Sequence, residues 1–361
     1  MLYVTEGLLY ISFAIITGAL ILSVVPETKR PAIAVPSWLV SLAIIAIPIL
    51  SFAPIHQLTS DYVVSLDMSY GEMVKVIILD FNMGKSWLWT TIGSIGLLLI
   101  TSLKLFRNDR KVIYAALFIL VLLFVWLGYS SHSASILPIQ GLIAHTLHFM
   151  AVSVWIGILF VISWFSTDNN NWSSFLRWFS PVAIIAVTIT IVAGLVLMTI
   201  VSPQYLNAWM LPYGQWMLLK HLLLIPLLLF ALSNGFIYPT VIKQHPHFKP
   251  VKWLRLESII ALLVLFVTAI MGEQAPPHNV QDTLQYYSPS GMFTSLYRGN
   301  YTPDLQLTLT FTMESILMLI AAAIMAYTVV WSYRKQYPYA ALGSGLLATV
   351  FGYFGLMFAI A

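Results

Sequence analysis

Apolar residues run through this chain in long blocks, and ten of them approach or exceed the roughly 20 residues needed to cross a bilayer's hydrocarbon. They cover residues 2–25, 36–55, 86–106, 112–132, 139–165, 179–201, 215–238, 255–272, 312–333 and 339–361. The pattern predicts an all-α fold, a polytopic transmembrane helical bundle of about ten spans. The first block lacks a basic leader and is too long for a secretory signal core, so it reads as the first span. Two polar stretches exceed what a connection needs. Residues 56–85 mix acids with an amphipathic run from Met73 to Phe81 suited to the membrane interface. Residues 273–311 are turn-rich and aromatic and end in LQLTLTF, which alternates like a strand, so they read as a loop or a small cap.

Charge orients the bundle. Alternating the loops between two sides places Lys29, Arg30, Lys104, Arg107, Arg110, Lys111, Arg177, Lys243, Lys249, Lys252, Arg255, Arg334 and Lys335 together, 13 of the 17 Lys and Arg. Lys75, Lys85 and Arg298 fall on the other side, and Lys220 lies within a span. The basic side is expected to be cytoplasmic, with both termini outside. The chain is 60% hydrophobic and 8% charged, far below the charge of soluble proteins. Its net charge of +4 is therefore explained by topology and does not argue for a nucleic-acid partner. Membrane lipid is the expected surround.

Ionisable side chains at bilayer depth are costly and usually bind something. His145 and His148, in HTLHFMAVSVW, lie one helical turn apart and roughly 10 to 15 Å into the fifth span. His132 closes the fourth span across a short connection, so it should share the same outer vestibule. His221 enters the seventh span from the same side, and His56 and His278 fall in outer loops. His245 and His247 lie in a basic cytoplasmic loop. A lone intramembrane histidine such as His221 is as readily a packed, hydrogen-bonded helix contact as a ligand.

Methionines Met198, Met210, Met217 and Met271 cluster near outer span ends, and Met150 follows His148 closely. Taken singly, methionine in a span is usually gap filler. With no cysteine among 361 residues, soft-metal chemistry must use His and Met, which points to copper. Zinc would want cysteine or carboxylate partners, and the deep positions offer none. Glu6, at the outer end of the first span, would attract a cation or relay a proton. Asn234 fits an interhelical hydrogen bond. Arg255 and Glu257 are two apart and do not share a helix face.

The pieces GYSSHSA (128–134), HTLHFMAVSVWIGIL (145–159), RWFSP (177–181), Gly194, YGQWMLLKH (213–221), Asn234, RLE (255–257) and APP (275–277) occur in an order that resembles the bacterial copper resistance protein D (CopD) family. The resemblance implies an eight-span membrane core over 1–272, copper uptake across the bacterial cytoplasmic membrane, and a periplasmic copper-binding domain often associated with it. On that reading, 273–311 is an extracytoplasmic loop or cap, and 312–361 adds two spans beyond the core. Copper would arrive from a separate extracytoplasmic copper-binding chaperone or through the 273–311 segment.

The expectation is therefore a copper-binding transporter rather than an enzyme, with no Walker-type phosphate loop to couple it to ATP. Copper would be held by His132, His145, His148 and His221, approached by way of His56, His278, Met271, Met198, Met150 and Glu6. The alternative is a b-type cytochrome in which two of the histidines ligate haem b for electron transfer.

Overall fold

A computed structural model describes residues 2–103, 109–237, 250–302 and 304–361. Lys104, Arg107, Lys243, His245, His247 and Lys249, used above for orientation or as loop residues, lie outside the described residues. The described chain is helical throughout apart from turns, 3-10 segments, one π-helical turn and two isolated bridges. It divides into two compact units, residues 1–200 and 201–361.

The first unit contains α1 (Leu2–Val24), α2 (Ser37–Leu50), α3 (Ala53–Leu66), α4 (Tyr70–Asp80), α5 (Asn82–Ser102), α6 (Arg110–Tyr129), α7 (His132–Ile136), α8 (Pro138–Phe165) and α9 (Trp172–Val201). Helix α1 is central and packs on α8, α2 and α6. Its closest meeting with α8 is at Gly18 and Gly157, where a Cβ on either residue would overlap the other helix's backbone. Small residues permit this approach where lipid offers no hydrophobic drive between helices. Around the crossing, Phe13, Phe124 and Phe149 pack ring against ring, with centroids 4.9 to 5.2 Å apart.

At one end of this unit the α1–α2 turn is tied to the α8–α9 turn. Ala34 donates to Phe165 O at 2.9 Å, Thr167 to Ala32 O at 2.8 Å, and the Ala32 amide donates to Asp168 Oδ1 at 3.0 Å. Arg30 is buried there and donates to Val25 O and Pro31 O. Burial pulls its guanidinium below the usual range, against the opposing effect of Glu27.

The second unit contains α10 (Pro212–Leu232), α11 (Pro250–Gly272), α12 (Val280–Tyr286), α13 (Gly291–Leu296), α14 (Met313–Lys335) and α15 (Pro338–Met357). Helix α10 packs on α11, α15 and α14, and runs into a π-helical turn over Ser233–Ile237. The 273–311 segment is ordered by two short helices and by contacts at its end. Leu307 donates to Asn207 Oδ1, and Thr308 pairs with Ala361 in both directions at 2.9 and 3.0 Å. The alternating LQLTLTF run thus yields one antiparallel bridge, Leu309 to Ile360, instead of a strand. The facing edge is residues 359–361.

Nine helices among the described residues are long and apolar enough to span a membrane. The expected span at 86–106 does form the 21-residue helix α5, but Asn82, Lys85 and several hydroxyl residues lower its apolarity. Its buried face, Ser86, Thr90 and Ser94 at four-residue spacing, is small and polar, and Ser86 Oγ donates to Trp126 O of α6. The 56–85 stretch is also more helical than the sequence suggested. Helices α3 and α4 pair through Ile55, Met73 and Ile77, while Val64, Leu66 and Leu79 remain exposed.

Candidate functional site

Helix α8 starts at Pro138, where the fixed φ suits a first helical position and the absent N–H costs nothing. It then carries His145 and His148 one turn apart on a half-buried stripe. His148 Nδ1 lies 2.9 Å from the main-chain oxygen of Thr190 on α9. A carbonyl can only accept, so Nδ1 bears a proton. Gly194, one turn further along α9, lies under the same ring. A Cβ there would lie 3.2 Å from Cε1 and 3.3 Å from Nδ1. The close seat of this imidazole is the structural reason for Gly194.

Thr190, Gly194 and Met198 follow one another at four-residue spacing and share a face of α9. Met198 is half-buried. The hydroxyls of Thr146 and Thr190 are buried without hydrogen-bond partners.

His145 lies edge-on to Phe149 at 6.4 Å, and Phe149 is met edge-on by Tyr10 at 5.4 Å. Tyr10 in turn donates to Glu6 Oε2 at 3.3 Å. Glu6 is therefore connected to the His145 region through two aromatic rings of the α1–α8 crossing. Met150 packs against the same α1–α6 core and is not on the His148 stripe. His132 is exposed at the first position of α7, whose N-cap Ser131 accepts from Ala134 N. His56 is exposed on α3, with Nδ1 2.7 Å from the Tyr70 hydroxyl.

The second unit holds the other candidates. His221 Nδ1 lies 2.8 Å from the hydroxyl of Tyr205, in the turn before α10, and the two rings are 5.6 Å apart. A hydroxyl donates or accepts, so this contact leaves the tautomer of His221 open. Burial raises the Tyr205 phenol above its ordinary range, opposed by its contact with Trp209. Met217, one turn before His221, is buried. Gln215, fully buried, donates to Trp209 O and accepts from the Tyr353 hydroxyl, which fixes the start of α10. Met271 is half-buried in the last turn of α11, and His278 is exposed just beyond it.

Among the described residues, no group of three or more His, Cys, Asp or Glu side chains is placed to hold a metal ion. The structure places His145 and His148 one turn apart on α8, with the Thr190 carbonyl against His148 and the Phe149 ring edge-on to His145. It places His132, His56 and His278 at the surface. Sequence reasoning missed Thr190, Tyr205, Tyr10 and Tyr70. A main-chain acceptor leaves no signature in a sequence, and a tyrosine near a span end looks like any interfacial aromatic.

Residues 173–271 match the family model described as copper resistance protein D. The match runs from the start of α9 through α11, and so contains Thr190, Gly194, Met198, His221 and Met271 but not α8. No curated protein and no solved structure matches the chain.

Proposed function

We propose that this chain, which matches the copper resistance protein D family model over residues 173–271, is a membrane protein of that family, binds copper on the α8–α9 face and moves it across the bacterial cytoplasmic membrane. The observation that carries this reading is the seat of His148. Its Nδ1–H is committed to the Thr190 carbonyl, which orients the ring as the hydrogen bond behind a metal-binding imidazole does. His145 one turn away adds a second imidazole, and Met198 adds a thioether from α9. Two imidazoles with a thioether form a neutral, soft donor set suited to Cu(I). The buried hydroxyls of Thr146 and Thr190 give the surroundings the polarity that a passing ion or its water needs.

In the orientation given by the basic loops, this face opens outward and the direction is import. Exposed His132 lies beside the mouth, with Glu6 reaching it through Tyr10. His56, His278, Met271 and Met150 are the lesser candidates for the approach. Within the second unit, His221 with Met217 on α10 is a separate candidate copper site. A separate extracytoplasmic copper-binding protein is the proposed donor, and 1–272 is the proposed functional core, with 273–311 a cap and 312–361 an addition. With no phosphate-binding loop in the sequence, the driving force is an ion or copper gradient.

The test is metal analysis with an optical spectrum on the purified full chain, comparing wild type with His145→Ala plus His148→Ala. Wild type is expected to bind copper and the double variant to bind it more than about 100-fold more weakly, with helix content unchanged. Unchanged copper in the variant would overturn the α8 site. A Soret band that the variant abolishes would establish the haem reading instead.

A further inference from the structure

The two turns tied together at one end of the first unit hold a group of polar side chains that copper binding does not use. Arg30 lies on the α1–α2 turn, its side chain 10% exposed. A guanidinium carries five N–H groups. Here Nε donates to Val25 O at 3.1 Å and Nη1 to Pro31 O at 3.3 Å. Glu27 Oε1 is 3.9 Å from Nη2, too far for a hydrogen bond, and the Glu27 side chain is 90% exposed. Three N–H groups of Arg30 therefore have no protein acceptor among the described residues.

Two more donors lie on the facing α8–α9 turn. Asn171 Nδ2 donates to Glu27 O at 3.0 Å and to Arg30 O at 3.3 Å, which sets the next residue, Trp172, beside the Arg30 segment. Trp172 is 5% exposed, and its Nε1 is buried without an acceptor. Ser166, bridged to Ile33, has a buried Oγ without a partner. Trp172 also opens the long helix α9, whose first turn adds partial positive charge. Asp168, the other acid of these turns, is already engaged, accepting from the Ala32 amide and from Asn170. Lys29 and Arg177 are exposed close by in sequence.

What this group lacks throughout is an acceptor, and buried donors left without one are costly. Capping the end of α1 uses two of the five Arg30 N–H groups and leaves the Trp172 indole unexplained. The complement is an anion with several oxygens, as a phosphate is. We propose that the clamp binds one phosphate group of an anionic phospholipid, with Arg30 at its centre, Trp172 and Ser166 as neutral donors, and Lys29 and Arg177 at the rim. Lipid is the source because the clamp lies at headgroup depth. It joins the ends of apolar helices, and Trp38, in the first turn of α2, is 64% exposed, as an interfacial indole is. The clamp falls on the basic side assigned above to the cytoplasm, where anionic lipids attract Lys and Arg. The site is independent of copper.

The experiment is native mass spectrometry of the detergent-solubilised full chain, with phosphatidylglycerol as the probe and phosphatidylcholine and inorganic phosphate as comparisons. One phosphatidylglycerol is expected to bind at least about tenfold more tightly than phosphatidylcholine, and inorganic phosphate at the same concentration should not displace it. Arg30→Gln should lose that preference. Because Arg30 also caps α1, Trp172→Phe is the second variant. It keeps an aromatic ring, removes the N–H, and should weaken phosphatidylglycerol binding about tenfold. Phosphatidylglycerol bound no more tightly than phosphatidylcholine, or bound equally by wild type and Trp172→Phe, would overturn the proposal. Displacement by inorganic phosphate would overturn the lipid assignment and make the clamp a site for soluble phosphate. None of these outcomes depends on whether copper binds at His148.

Discussion

His148 and His221 each present Nδ1 to an oxygen at nearly the same distance, 2.9 and 2.8 Å, yet the two oxygens do opposite things. The Thr190 carbonyl accepts only, so His148 is held in one tautomer. The Tyr205 hydroxyl gives or takes, so His221 can exchange tautomers without losing its partner. The difference separates a ring whose Nδ1 must donate from a ring whose Nδ1 can donate or accept. Residue type alone does not distinguish them; the partner does. Gly194 lies close beneath the His148 ring, where a Cβ would be in tight contact with it.

The strongest way to break this contrast is to disturb the floor under His148. Gly194→Val should push into the imidazole and weaken copper binding by about 10- to 100-fold, the usual cost of losing a ligand's supporting contact. Gly194→Ala should do less, because the ring need give only a few tenths of an ångström. Titration with Cu(I) under anaerobic conditions reads both. On the other side, Tyr205→Phe should lower copper affinity by less than about tenfold, since one neutral hydrogen bond contributes about 1 kcal/mol.

The Tyr205 hydroxyl can be probed by pH. Because burial raises its pKa, it should remain a phenol through pH of about 10, where a free tyrosine ionises. The stability it lends is fully present below that point and is lost as pH rises through the raised value. Tyrosinate absorbance of wild type minus Tyr205→Phe should show this late titration, and an ordinary midpoint would contradict it. The smallest effect is expected at the turn linking α1–α2 to α8–α9. The Ala32 amide holds Asp168 below the usual carboxylate range. Its support is therefore present above pH of about 4 and is lost as pH falls through the lowered value. Asp168→Asn should reduce thermal stability slightly at neutral pH, with no change at His148 or His221.

Much of this was legible in advance. Long apolar blocks located nine spanning helices, and the incongruity of His145 and His148 marked α8 before any coordinates. Asn234 and Glu257 stood out as polar residues in apolar surroundings, and Asn234 makes the interhelical bond expected of it. Their meeting with Tyr333 was not legible, because it joins residues 99 positions apart and depends on helix packing. Helix α5 was read as an ordinary span because its second half is apolar, and only the packed structure shows the polar stripe of Ser86, Thr90 and Ser94. The convergence of four histidines was an expectation of sequence depth alone. Depth places residues in a layer but says nothing of their angle about the helix axis or of which helices are neighbours.

The contact of Gly18 with Gly157 has a mechanical consequence. A side chain at Gly18 or Gly157 would force α1 and α8 apart, so the two glycines set how closely these helices meet. His145 and His148 ride on α8, and the Glu6–Tyr10 arm rides on α1. Helix α9 holds to the His148 ring by one hydrogen bond and a glycine, the geometry of a latch.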